Sequence, residues 1–96
     1  MTAYAIGNIT IKDTVKWAEY RRRLPATLAP WGADIVLRGR QAEVLSGQHS
    51  HRDVVVLRFP DVASVTGWHD SPEYQALVPL REQAADVDLV CFEADS

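Results

Sequence analysis

The chain has 96 residues, 47% of them hydrophobic, and its 10 basic and 13 acidic residues give a formal net charge of −3. This length predicts one domain over residues 1–96, and it excludes a dinucleotide-binding domain joined to a separate substrate domain. The mild acidity argues against a nucleic-acid-binding surface.

The cysteine count and the hydropathy pattern narrow the class further. The single Cys91 excludes an intrachain disulfide and a cysteine-based zinc cluster. No apolar run approaches the roughly 20 residues that span a bilayer, and the first residues lack a basic region followed by an apolar stretch. We therefore expect a small, soluble, cytoplasmic protein that contacts neither membranes nor nucleic acid.

The first elements are a strand and a helix. Residues 3–11 (AYAIGNITI) are β-rich and predict a strand. Asp13 and Thr14 supply side chains that can cap the start of a helix. Pro25 predicts a kink in this helix or its division into two pieces. Gly32 is a candidate for the left-handed residue that ends the helical region. The helical stripe repeats every three or four residues and consists of Trp17, Tyr20, Leu24, Leu28 and Trp31.

Three further β-rich runs occupy the middle of the chain. Residues 33–38 and 42–46 could pair as a hairpin across residues 39–41, and residues 47–52 form a polar loop. Residues 53–59 (DVVVLRF) are the most apolar run of the chain. Their length and β-branching predict a central strand with both faces covered.

The last elements complete an α+β ferredoxin-like plait. Residues 61–70 predict a helix, and Ser71-Pro72-Glu73 is typical of a second helix start. Residues 87–92 predict the closing strand. The order β-α-β-β-(αα)-β indicates an antiparallel sheet with helices on one face. The other face carries apolar side chains, so we expect a homodimer that pairs through it.

Several segments together resemble one bacterial family. They are residues 17–20 (WAEY), 31–32 (WG), 38–39 (RG), 42–45 (AEVL), 54–60 (VVVLRFP), 68–77 (WHDSPEYQAL) and 79–81 (PLR). On these segments the chain resembles the family called domain of unknown function 1330, within the dimeric α/β-barrel superfamily. The resemblance covers nearly the whole length and implies a protomer that pairs through its sheet, with a pocket between sheet and helices.

The wider superfamily implies a range of chemistries. It contains cofactor-free monooxygenases, lactone isomerases, polyketide cyclases, haem-degrading enzymes and dehydratases. The sequence departs from the family pattern at two positions, since Ser46 stands where Glu is common and His69 stands where Tyr is common. A role of that Glu or Tyr in a relative does not transfer unchanged to this chain.

Three residues are candidates for catalysis. His69 can exchange protons near neutral pH, and its alternative role is that of an interfacial or capping histidine. Arg38, at a strand end, can clamp a carboxylate or enolate, unless it pairs with an acid such as Glu43 or lies on the surface. A Tyr hydroxyl, here Tyr74, can orient a substrate carbonyl.

Other side chains are candidates for substrate binding. Aromatic residues at helical spacing usually belong to the core, but one or two can line a cavity and stack on a planar substrate. Arg81 can act as a second clamp, and Arg21-Arg22-Arg23 is interpreted as a solvated helix face. The predicted substrate-binding set is Trp68, Trp31, Tyr20, Arg81 and His49.

The three histidines also raise the question of a metal site. His49 and His51 would point the same way from an extended segment, and His69 could complete a three-His set. Solvated loop histidines explain the pattern more simply, so we predict neither a metal nor a cofactor.

These residues support two functions of different classes. The first is a cofactor-independent isomerase, cyclase, dehydratase or monooxygenase acting on a small carbonyl-bearing or aromatic metabolite. In it His69 moves the proton, Arg38 holds oxyanion charge and the aromatic residues exclude water. The second is a non-catalytic, dimeric ligand-binding or stress-related protein that uses the same pocket. Haem degradation is a third, weaker alternative.

Overall fold

The computed structural model describes residues 1–95, which form a four-stranded sheet and helices on one side of it. A short 3-10 turn, Ala29–Trp31, follows the first helix. In chain order the other elements are β1 (Ala3–Ile11), α1 (Thr14–Leu28), β2 (Asp34–Arg40), β3 (Asp53–Phe59), α2 (Val62–Asp70), α3 (Pro72–Gln75), α4 (Val78–Ala84) and β4 (Ala85–Glu93).

The sheet is antiparallel, with the strand order β2-β3-β1-β4. The two central strands are β1 and β3, and Ala5 lies opposite both Leu57 and Cys91. This topology confirms the predicted ferredoxin-like fold and the central position of residues 53–59.

The predicted strand at residues 42–46 is wrong, and so is the hairpin across residues 39–41. Residues 41–50 are irregular and exposed, and Leu45 keeps 88% of its accessible surface. The cause is that β2 pairs directly with β3, so that residues 41–52 become the loop of a hairpin between these two strands. The Gln41 N–H donates to the Arg52 carbonyl at 2.6 Å and closes this loop. The run therefore has β-forming residues but no neighbouring strand with which to pair.

Local capping residues set the helix boundaries as predicted. The Asp13 carboxylate accepts from the N–H groups of Val15 and Lys16 at the start of α1. Gly32 takes a left-handed φ of 65° where the helical region ends. Helix α1 runs through Pro25 without division, because this proline is exposed and the carbonyl it leaves unpaired can be hydrated.

The core lies between the helices and one face of the sheet. Ala5, Leu57 and Phe59 of that face are buried, and α1, α2 and α3 cover them with Tyr20, Leu24, Leu28, Val65, Trp68 and Tyr74. The opposite face, here called the outer face, keeps apolar side chains exposed, including Leu37, Val90 and Phe92. Within one chain, β3 is therefore covered on one face only. Among residues 1–95 no helix is both long and apolar enough to span a membrane.

Candidate functional site

A cleft of about 400 Å³ opens between α1 and the adjoining ends of β1, β2 and β3. Trp17 and Arg21 line it from α1, where their spacing of one helical turn places both on the same face. The sheet contributes Ile9, Ile11, Arg38, Gly39, Arg40, Asp53, Val54 and Val55. We call this the arginine cleft.

A β-bulge brings two of these arginines into the cleft. Ile35 lies opposite the buried Leu57, but the register then shifts so that Leu37 lies opposite Val56 and Arg38 opposite Val55. Strict alternation from Ile35 would have placed Arg38 on the outer face. The extra residue turns Arg38 and Arg40 toward the helices, which is a common use of bulges beside functional sites.

The arginine cleft has an excess of positive charge. Among residues 1–95, no carboxylate lies within 4.0 Å of the Arg21 or Arg38 guanidinium, whereas Arg40 Nε lies 3.9 Å from Asp53 Oδ1. Partial burial lowers the pKa of Arg38, and the positive charge of Arg21 acts in the same direction. Because both guanidiniums line the same cleft and carry positive charge, they repel each other.

A buried hydrogen-bonded network lies behind the Trp17 wall. The Tyr20 and Tyr74 hydroxyl oxygens are 2.8 Å apart, and Arg81 Nη1 donates to the Tyr74 oxygen at 3.0 Å. Burial raises the pKa of Tyr20 well above its ordinary value, and the adjacent Tyr74 hydroxyl adds to this effect. The Tyr20 ring stacks on Trp17 with centroids 5.0 Å apart. The network thus holds the aromatic wall of the cleft in place.

His69 lines a different cavity, of about 220 Å³, between α2 and β4. Its Nδ1 lies 3.4 Å from Asp70 Oδ1, and its ring also approaches the ring of Tyr74. The other lining residues are Ala5, Val65, Thr66, Trp68, Leu89 and Cys91. The structure therefore separates His69 from Arg38, which the sequence analysis had combined in one pocket.

The two predicted tryptophans pack within the protein. Trp68 is 1% exposed, and its indole N–H donates to Thr27 Oγ1 at 3.0 Å. Trp31 packs against Gly67 of α2 and lines neither cavity. Of these two residues, Trp68 lines the His69 cavity.

The loop histidines differ in their surroundings. His49 is exposed, whereas His51 places Nδ1 2.9 Å from Thr10 Oγ1 and Nε2 2.6 Å from Asp88 Oδ2. In the part of the chain that the structure describes, no group of three or more His, Cys, Asp or Glu side chains is arranged to hold a metal ion.

The family model described as Domain of unknown function (DUF1330) matches residues 2–95. The chain belongs to this family. Comparison with curated proteins finds no match.

Solved structures share the fold of this DUF1330 protein. RPA0582 of Rhodopseudomonas palustris, a protein of unknown function, is 18% identical with a TM-score of 0.82, covering 99% of this chain and 83% of that one. SnoaB of Streptomyces nogalater, a cofactor-independent oxygenase, is 11% identical with a TM-score of 0.69, covering 99% and 94%. A dimeric ferredoxin-like protein of unknown function from Thermobifida fusca is 17% identical with a TM-score of 0.68, covering 98% and 92%.

Of the ten residues among 1–95 that line the cleft of this DUF1330 protein, the sequence analysis selected Arg38 alone as a site residue. Trp17 was grouped with the aromatic residues, most of them expected in the core, Arg21 was interpreted as part of a solvated face, and Asp53 was regarded only as a strand residue. The spacing of Trp17 and Arg21 by one helical turn was a usable signal. Asp53 gave no such signal, because its place in the cleft depends on the register between β2 and β3.

Proposed function

We propose that the arginine cleft binds a small carbonyl-bearing metabolite and catalyses a proton transfer with its own side chains. One observation carries this proposal: a carboxylate, Asp53, and a guanidinium without a carboxylate partner, Arg38, line the same cleft. A carboxylate can accept a proton, and a guanidinium can hold the negative charge that then develops on oxygen. These are the two groups that enolisation requires.

The proposed step conserves atoms and electrons. Asp53 takes a proton from the carbon next to the substrate carbonyl, and the C–H electron pair becomes the C=C bond of an enolate. The enolate oxygen accepts hydrogen bonds from Arg38. Return of the proton to another position completes an isomerisation with no net oxidation. Tyr74 acts as a positioning residue, because it holds Tyr20, which stacks on the Trp17 wall.

The test measures hydrogen exchange in D₂O by NMR, with phenylpyruvate as the probe. We expect the wild-type protein to accelerate loss of the C3 proton signals, and Asp53→Asn to slow this exchange by roughly 100-fold or more. Arg38→Gln should also slow it. The matched control is Arg23→Gln, which removes an exposed arginine of α1 that does not line the cleft. Unchanged exchange in Asp53→Asn would refute the mechanism.

The same assay separates two other candidates. If His69→Ala abolishes exchange while Asp53→Asn does not, the acid–base group is His69 and the reaction belongs to the cavity between α2 and β4. If the wild type binds ligands but accelerates no exchange, the protein is a ligand-binding protein rather than an enzyme of this type.

We also propose that two copies pair through the outer face. Leu37, Val90 and Phe92 keep 47%, 44% and 51% of their surface exposed there, and contiguous apolar patches of this kind mark interfaces. The T. fusca structure with the same fold is described as dimeric. A closed two-fold pairing covers the same patch on both copies.

Sedimentation equilibrium tests this pairing. We expect a dimer at micromolar concentration for the wild type and a monomer for Phe92→Asp. Val15→Asp is the control, since Val15 is more exposed but lies on α1, away from the sheet. A wild-type monomer, or a monomer produced equally by Val15→Asp, would contradict the proposal.

A further inference from the structure

We infer that the ligand of the arginine cleft is a planar, conjugated carboxylate, clamped between Arg21 of α1 and Arg38 of β2 against the Trp17 indole. This inference rests on the proposed function, since it names the substrate class of the same cleft. The proposed function uses Arg38 as the group that holds the negative charge. The inference adds Arg21 as a second cation and Trp17 as an aromatic wall, both from α1.

Arg21 and Arg38 are distinguished by their place in the cleft together with the lack of a carboxylate partner. Among residues 1–95, four of the ten lysine and arginine side chains pair with carboxylates: Lys12 with Asp86, Arg22 with Glu19, Arg40 with Asp53, and Arg58 with Asp34. Of the six in this range that do not, Arg21 and Arg38 are the two that line the arginine cleft. Arg21 and Arg38 carry like charges in one cleft whose only lining carboxylate among residues 1–95, Asp53, lies beside Arg40, so a bound anion offsets their repulsion.

The positions of the two guanidiniums favour a carboxylate over a compact anion. Arg21 lies on the helix side of the cleft and Arg38 on the sheet side, so each approaches a ligand from a different wall. A carboxylate presents two oxygens and about four acceptor sites in one plane, which suits a planar guanidinium fork. Each of the two guanidiniums can then donate to one carboxylate oxygen in the same plane.

The remaining walls suit a flat, apolar ring. Trp17 is stacked on Tyr20 with an interplanar angle of 22°, which fixes the plane of its indole. Ile9 and Val55 supply apolar surface from the sheet. A volume of about 400 Å³ is at the small end of ligand sites, so it accommodates a molecule of one or two rings.

This arrangement predicts strong discrimination between a carboxylate and its neutral isostere. An amide of the same shape would keep the ring contacts but replace each charge-assisted hydrogen bond from a guanidinium with a weaker one to a neutral oxygen. Hydrogen bonds between charged groups are roughly twice as strong as those between neutral groups. We therefore expect the amide to bind at least roughly tenfold more weakly.

The experiment compares 2-naphthoate with 2-naphthamide by isothermal titration calorimetry on the full chain. We expect saturable naphthoate binding that weakens by roughly tenfold or more in Arg21→Gln and in Arg38→Gln. Arg23→Gln changes the net charge of the protein equally but should bind naphthoate as the wild type does. Circular dichroism of each variant confirms that it is folded.

Three results would overturn the inference. They are equal binding of the amide and the acid, a loss in Arg23→Gln as large as in Arg21→Gln and Arg38→Gln, and the absence of saturable naphthoate binding. The outcome is distinguishable from that of the proposed function. Arginine-dependent naphthoate binding without phenylpyruvate exchange would refute the catalysis alone, whereas Asp53-dependent exchange that is unaffected in Arg21→Gln would refute the clamp alone.

Discussion

The hydroxyl oxygens of Tyr20 and Tyr74 lie 2.8 Å apart inside the core, although 54 positions separate the two residues in sequence. The Tyr74 oxygen has a second partner, Arg81 Nη1, at 3.0 Å, whereas Tyr20 has Tyr74 alone. Because both rings are buried, water does not readily replace a lost partner. This asymmetry makes the two hydroxyl groups unequal in their effect on stability.

Removing the Tyr74 hydroxyl should therefore cost more than removing that of Tyr20. Tyr74→Phe leaves both the Tyr20 hydroxyl and the Arg81 guanidinium without this partner, so we expect a loss of about 2 kcal/mol in the free energy of unfolding. Tyr20→Phe leaves the Arg81 bond intact and should cost about 1 kcal/mol. Urea denaturation measures both values, and a larger loss in Tyr20→Phe would contradict this account.

The raised pKa of Tyr20 predicts a loss of stability at alkaline pH. In the unfolded chain a tyrosine releases its proton near about pH 10, whereas folded Tyr20 retains it because burial disfavours the phenolate. The folded state then binds more protons than the unfolded state, so the unfolding free energy falls as the pH rises above that value. Urea denaturation at a series of pH values between pH 8 and about pH 11 gives the free energy of unfolding as a function of pH. This free energy should fall less steeply with pH for Tyr20→Phe than for the wild type. Equal slopes would show that another group is responsible.

Much of the fold could be predicted because the signals that encode it are local. Asp13 caps α1, Gly32 ends the helical region, and Ser71 both ends α2 and caps α3. These boundaries together with the apolar runs indicate the order of elements along the chain, from which the ferredoxin-like plait was predicted. The predicted strand at residues 42–46 failed because strand formation also requires a partner, which propensity does not specify.

The candidate site was less predictable because it depends on register. Alternation alone places Arg38 on the outer face, and only the bulge between Ile35 and Leu37 turns it into the cleft. His69 and Arg38 were combined because the resemblance implies one pocket between sheet and helices, whereas the structure places them in two different cavities. The position of Asp53 in the cleft also depends on strand register, because Asp53 lies opposite Arg40 of β2 and Ile9 of β1.

We expect the hydrogen bonds of His51 to hold the loop of residues 41–52 against the sheet. Its two ring nitrogens contact Thr10 and Asp88, and its side chain is only 14% exposed. His51→Ala removes both hydrogen bonds, so we expect a loss of about 1–2 kcal/mol in the free energy of unfolding. Amide exchange should also accelerate at Arg52, whose N–H donates to the Ile9 carbonyl at 3.1 Å.

His49→Ala is the matched control for this prediction, because it removes an exposed imidazole from the same loop. Its exchange and stability should equal those of the wild type. If His51→Ala accelerates exchange no more than His49→Ala does, the loop is held by its backbone and not by His51.

Gly67 is expected to resist substitution because Trp31 occupies the space beside it. A Cβ at this position would lie 2.5 Å from Trp31 Cζ3 and 2.7 Å from Cη2, which forces the indole or α2 to move. Alanine normally favours a helix over glycine by about 1 kcal/mol. We expect the clash to dominate, so that Gly67→Ala lowers the free energy of unfolding by about 1–3 kcal/mol.

Two further variants separate this clash from a general effect of adding a methyl group. Gly39→Ala meets Val54 and Leu37 only at ordinary contact distances of 3.6 and 3.7 Å, so urea denaturation should show little loss. Trp31→Phe removes the six-membered part of the indole, and in that background the cost of Gly67→Ala should shrink. If Gly67→Ala stabilises the wild-type protein, helix propensity dominates and the contact with Trp31 does not restrict this position.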